Sequence, residues 1–183
     1  MLLHGWGMGA SACAPLRDRL AAQRVVDCPD LPGCGRRRGE GETPAALAAI
    51  ADDVLARVEW PAHWVGWSLG GLVALAAARR APQAVGRVTL LAASPCMVAA
   101  AGWPGIDPSA LAAFRAGLAE DPARVHDRFL ALQVRGSAAP RPTLRALRAA
   151  AAADGLPSVD TLLRGLALLA DSDLRSAPSA LSC

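Results

Sequence analysis

The 183-residue sequence has no lysine and no tyrosine, and aromatic residues make up only 4% of it. All 19 basic side chains are therefore arginine, a bias that, with the abundance of alanine, reflects composition more than function. The formal net charge is only +3, acidic residues are interleaved throughout and stacking rings are few, which argues against nucleic-acid binding. Cysteine is dispersed: Cys13, Cys28, Cys34, Cys96 and Cys183 form no CxxC pair and no Cys/His cluster of zinc spacing, so no metal site is expected. The odd number, and the lack of a secretory leader in MLLHGWG, point to free thiols in a reducing compartment and a cytoplasmic protein. Long hydrophobic runs are missing too. The most apolar window, 88–103, is broken by Ser94 and Pro95 and is too short to span a bilayer, so no membrane role is expected.

What is present fits a globular chain able to bury one core, with 53% hydrophobic and 19% charged residues. LLHGWG reads as the end of a buried strand entering a glycine turn. LRDRLAAQ is helical, and RVVDCPDLPGCGRRRGEGE is a short strand followed by a Gly/Arg loop. Residues 44–58 have helical spacing with Pro44 in the first turn. HWVGW is a strand, 69–80 a helix ended by Pro82, and GRVTLLAAS a strand expected to be buried on both faces because it does not alternate. Strands alternating with helices predict a parallel α/β sheet. From 98 to 170 only helical patterns occur, in four segments, which predicts a helical cap over one end of that sheet. The expected organisation is a core over 1–97, a cap over 98–170 and a linker returning to the core over 171–183.

Two motifs carry chemistry. Gly66-Trp67-Ser68-Leu69-Gly70 matches G-x-S-x-G, and here an apolar strand precedes it and a helix follows. A nucleophilic serine needs that setting, because a sharp strand-to-helix turn projects its hydroxyl from the end of the sheet. Upstream, His4-Gly5-Trp6-Gly7 ends the first strand. A tetrahedral intermediate needs two aimed N–H donors, and the backbone amides of Trp6 and Leu69 are the candidates. His4 is read as a structural histidine pinning this turn, since the order Ser, acid, His places the base after the nucleophile.

LLHGWG, DLPGCGRRRG, GWSLGGLVA, ASPC, WPGI and RFLALQ follow one another in the order and spacing of a known family. The chain resembles the BioH-type pimeloyl-[acyl-carrier protein] methyl ester esterases of biotin synthesis, members of the α/β-hydrolase superfamily. The resemblance implies an α/β-hydrolase fold with a helical cap, and hydrolysis of a carrier-linked methyl ester without metal or cofactor. It implies that Ser68 is the nucleophile and that Trp6 and Leu69 supply the oxyanion hole. Phe129, Leu130, Ala131, Leu132 and Gln133 would line the acyl channel, together with Trp6, Ser68 and Leu69. Arg124, Arg128, Arg141 and Arg145 would dock acyl carrier protein, and the expected state is a monomer. For the 129–133 segment, packing at helical spacing stands beside substrate contact. For the arginines, a solvated face stands beside docking.

The general base is the gap. His63 precedes the nucleophile on its own strand, and His126 is expected to face solvent on a cap helix between Arg124 and Arg128. Asp171 and Asp173 lie too early in the architecture to be the acid. The expectation is a fragment, opening inside the third strand of a larger sheet and ending before the catalytic acid and histidine. A general short-chain carboxylesterase or thioesterase, and a non-catalytic acyl-carrier-binding protein of the same fold, are the alternatives.

Overall fold

Residues 1–41, 43–58 and 61–176 are described by the computed structural model. Three strands, β1 (Leu2–Leu3), β2 (Ala62–Trp67) and β3 (Val85–Leu91), pair in that order, all parallel. Register places Leu3 beside Gly66, and Trp67 beside Leu91. Parallel neighbours require a crossover. Between β1 and β2 the chain passes through α1 (Ala14–Ala21) and α2 (Leu47–Leu55), and between β2 and β3 through α3 (Leu69–Arg80).

Helix α3 is the centre of the core. Its alanines and glycines let it lie close to β2, and Leu72, Val73, Ala74 and Ala77 are wholly buried. Ile50, Ala51 and Val54 of α2 close over it from the other side. Four further helices follow β3: α4 (Pro108–Glu120), α5 (Pro122–Gln133), α6 (Pro140–Asp154) and α7 (Val159–Asp171). Three of them open on proline at the first or second position, where no N–H is lost from the helix ladder. Asp107, Asp121 and Ser158 cap α4, α5 and α7 by accepting from the N–H groups of Ser109, Arg124 and Thr161.

The structure corrects several local expectations. Residues 24–27 form no strand; only the Asp27 carbonyl, accepting from the Leu2 N–H at 2.8 Å, ties this stretch to the sheet. Helix α2 begins at Leu47, so Pro44 lies outside it. Strand β3 ends at Leu91 and is not buried on both faces: Gly86, Arg87 and Leu91 are exposed. The reason is that the described helices leave open the sheet face carrying Val65, Thr89 and Leu91. On the same side, Leu16, Leu20 and Val25 line an open apolar groove with Val65 and Leu91. The expected return linker is described only as far as Ser176, and 177–183, with Cys183, lie outside the described residues.

Candidate active site

Ser68 joins β2 to α3 with φ 53° and ψ −117°, a conformation non-glycine residues rarely adopt. Its N–H donates to the Leu91 carbonyl at 2.9 Å, and its own carbonyl accepts from Gly71 at 2.8 Å, which hold the turn from both sides. The flanking glycines are required by space. A Cβ on Gly66 would collide with the Gly70 carbonyl, and one on Gly70 would stand 2.5 Å from the Leu3 carbonyl oxygen. A Cβ on Gly71 would stand 2.5 Å from that of Ala93. The helix thus starts against the end of β1, with the serine at the carboxyl end of the central strand.

The glycine turn that leaves β1 lies against this serine: a Cβ on Gly5 would be 3.4 Å from Ser68 Cβ. His4 is fully buried, its Nδ1–H donating to the Gly5 carbonyl at 3.0 Å while Nε2 accepts from the Leu31 N–H at 3.0 Å. With both ring nitrogens engaged and burial holding its pKa below the ordinary histidine value, His4 is a neutral strut. Nearby, the Asp30 carboxylate accepts from Ala10 N–H at 2.6 Å and from Arg36 N–H at 3.1 Å. Burial works to raise the Asp30 pKa, but these bonds and that to the Arg36 guanidinium hold it below the usual carboxylate value.

Each of three helices beyond β3 reaches this turn and the short helical turn after it with one hydrogen bond. Trp6 Nε1–H donates to the Leu162 carbonyl of α7 at 2.8 Å. Ser11 Oγ–H donates to Asp154, at the end of α6, at 2.6 Å. His126 Nε2–H, on α5, donates to the Gly7 carbonyl at 2.6 Å. The Trp6 ring packs edge-to-face on Phe129 at 4.8 Å and on Phe114 at 6.4 Å, an apolar wall beside the turn.

The expected site residues divide accordingly. Ser68, Leu69, Trp6 and Phe129 come together around this wall and turn. Leu132 lines a groove between α4 and α5 with Phe114, Arg124 and Arg128. Leu130 is buried and turned the other way, beside His126 and α6. Ala131 and Gln133 are half-buried, and the Gln133 amide bonds within its own helix to the Phe129 carbonyl. Arg124, Arg128, Arg141 and Arg145 are all exposed and none pairs with a described carboxylate; Arg128 lies 5.9 Å over the Phe114 ring. His126 does not face solvent: it is only 6% exposed. Leu130 and Val134, one and two turns later, are buried on the same face, a signal the flanking arginines obscured. Phe114 and Asp30 also escaped the sequence reading. His63 is bonded to Thr89 Oγ1 at 2.8 Å, and among the described residues no side chain hydrogen-bonds Ser68 Oγ.

A strained serine at a strand–helix turn, an adjoining glycine turn and a parallel sheet are the setting in which hydrolases of α/β architecture hold a serine nucleophile. The comparisons agree. The model of the alpha/beta hydrolase family matches residues 1–181. A relative from Sodalis glossinidius is 43% identical over 177 residues, covering 97% of this chain and 68% of the relative, and is named pimeloyl-[acyl-carrier protein] methyl ester esterase. One of the same name from Edwardsiella ictaluri is 43% identical over 175 residues, 96% of this chain and 67% of the relative. An esterase from Exiguobacterium antarcticum superposes with a TM-score of 0.79 at 19% identity, over 99% of this chain and 69% of that one. A hydrolase from Oleispira antarctica does so at 0.78 and 19%, over 99% and 68%. The chain belongs to the α/β-hydrolase family and, within it, to the pimeloyl-[acyl-carrier protein] methyl ester esterases. Among the described residues no helix is long and apolar enough to cross a membrane.

Proposed function

We propose that this protein is a serine carboxylic ester hydrolase that removes the methyl ester of a pimeloyl chain carried on acyl carrier protein, a step in making biotin. The observation that carries the reading is the strained Ser68 at the carboxyl end of the central strand, set against the glycine turn by three glycines that tolerate no side chain. Ser68 Oγ attacks the ester carbonyl, and the developing oxyanion accepts from the N–H groups of Leu69 and Trp6. Neither amide is committed to a turn or inter-element hydrogen bond among the described residues. Collapse expels methanol, and water then releases the acid from the acyl-serine. The chemistry is proton and acyl transfer and calls for no metal or cofactor.

The substrate's methylene chain lies along Trp6, Phe114 and Phe129, with Ala131, Leu132 and Gln133 contributing from α5; Leu130, turned toward α6, does not reach it. Residues 98–170 act as a cap over a core of residues 1–97. Arg124, Arg128, Arg141 and Arg145 on that cap receive the acidic carrier, in a cytoplasmic, monomeric enzyme. Among the described residues no side chain is placed to take the Ser68 proton, and the chain spans 68% of the length of the relative from Sodalis glossinidius.

Labelling the full-length protein with a fluorophosphonate and locating the adduct by mass spectrometry tests the nucleophile. The adduct is expected on Ser68, and Ser68→Ala is expected to remove it and to lower kcat by several orders of magnitude. An adduct elsewhere, or undiminished turnover by the alanine variant, overturns the reading.

A further inference from the structure

The Trp6 N–H shares a trans peptide with the Gly5 carbonyl, so whatever orients that carbonyl aims the donor in the opposite direction. Two groups bond it: His4 Nδ1–H at 3.0 Å and the Met8 N–H at 3.3 Å. The Met8 N–H in turn shares its peptide with the Gly7 carbonyl, and that carbonyl accepts from His126 Nε2–H at 2.6 Å. One continuous line therefore runs from the His126 ring through the Gly7–Met8 peptide to the Gly5–Trp6 peptide. Hydrogen-bonded amides in series polarise one another, and a bond at one end stiffens the orientation at the other. His126 is buried and belongs to α5, the helix that also carries exposed Arg124 and Arg128 and the wall residue Phe129.

We propose that His126 is a positioning residue for the esterase reaction: from the cap helix α5 it holds, through the Gly7–Met8 peptide, the amide of Trp6 in the orientation that receives the oxyanion. The proposal rests on the functional reading above. It makes α5 a mechanical partner of the oxyanion turn, so that how the cap sits on the core sets the rate of the chemical step rather than the binding of substrate.

Two isosteric variants in the full-length enzyme test it. In His126→Gln the side-chain amide nitrogen takes the place of Nε2 and keeps the donor; in His126→Asn it takes the place of Nδ1 and the bond to Gly7 is lost. Loss of an oxyanion donor costs roughly 100- to 1,000-fold, and a residue acting two peptides away should cost less, so His126→Asn is expected to lower kcat about 10-fold. KM should stay within about two-fold and His126→Gln close to wild type. In 15N spectra the Trp6 and Met8 amide signals should move in His126→Asn and stay in place in His126→Gln. Equal kcat in both variants, high or low, a loss carried by KM, or unmoved amide signals overturn the proposal. If the parent enzyme shows no Ser68-dependent turnover, the functional reading fails instead, and the amide signals still decide whether His126 governs the turn.

Discussion

His4 and His126 are buried neutral, and burial depresses the pKa of each below its ordinary value of 6.5. The charges facing them are Asp30 and Asp154 for His4, and Asp127 with Arg148 across the α5–α6 groove for His126. In the unfolded chain both rings take up a proton near 6.5; in the folded protein they resist it until lower pH. Their contribution to stability is therefore complete above that value and is lost as pH falls from it through the folded pKa. Thermal unfolding of the full-length protein should show a Tm flat above neutrality and declining below pH 6.5. His126→Gln should flatten part of that decline, and a variant with the wild-type slope would show that His126 does not titrate on unfolding. At this scale Ser68 and its glycines were legible in the sequence because steric necessity leaves few residue choices around such a turn. His126 was not, because a histidine between two arginines looks solvated unless the four-residue spacing to Leu130 and Val134 is given more weight than the charge beside it.

Among the elements, the four helices beyond β3 are legible from their apolar spacing, and an Asp-Pro or Ser-Val pair supplies cap and first turn for α4, α5 and α7. The start of α2 at Leu47 is not legible, because Pro44 can open a helix or simply end an extended stretch, and local sequence does not choose. Helices α5 and α6 are joined by the Asp127–Arg148 pair, bidentate at 2.6 and 2.7 Å. Both groups are half exposed, so the pair serves geometry more than stability. Arg124 and Arg128 lie on the other side of α5, along the groove with α4. Replacing Arg124 and Arg128 with Glu in the full-length enzyme should lower kcat/KM for carrier-linked ester by about 10- to 100-fold at low salt, through association rate. The loss should shrink as salt rises. A small soluble ester should be hydrolysed at nearly the wild-type rate; equal losses on both substrates would mean that the arginines support the fold and not the carrier.

At the scale of the molecule, the parallel α/β architecture followed from the alternation of strand and helix. The open side of the sheet did not, because burial of a strand depends on neighbours that may be distant in sequence. GRVTLLAAS is apolar enough for a strand covered on both faces, yet Leu91 is 38% exposed and Val25 82%. Exposed apolar surface of this kind, beside a strand whose outer edge has no partner among the described residues, invites association. Residues 1–183 produced alone should bind 8-anilinonaphthalene sulfonate and elute as assemblies in size-exclusion chromatography with light scattering. The full-length protein should do neither. A monomeric, dye-free 183-residue chain would show that the groove along Leu16 and Leu20 closes on itself.

The hydrogen bond between Trp6 and Leu162 joins positions 156 apart, and those of Ser11 with Asp154 and Gly7 with His126 span 143 and 119. On the ribosome, at about 5–20 residues per second, the turn would therefore wait roughly 8–30 s for the partner of its indole to be made. During that interval its glycines and buried-to-be tryptophan are unsupported while β2, α3 and β3 assemble beside it. Slower translation before α7 would lengthen that exposure, and the chaperones that meet the nascent chain would do so at the very segment on which the chemistry later depends.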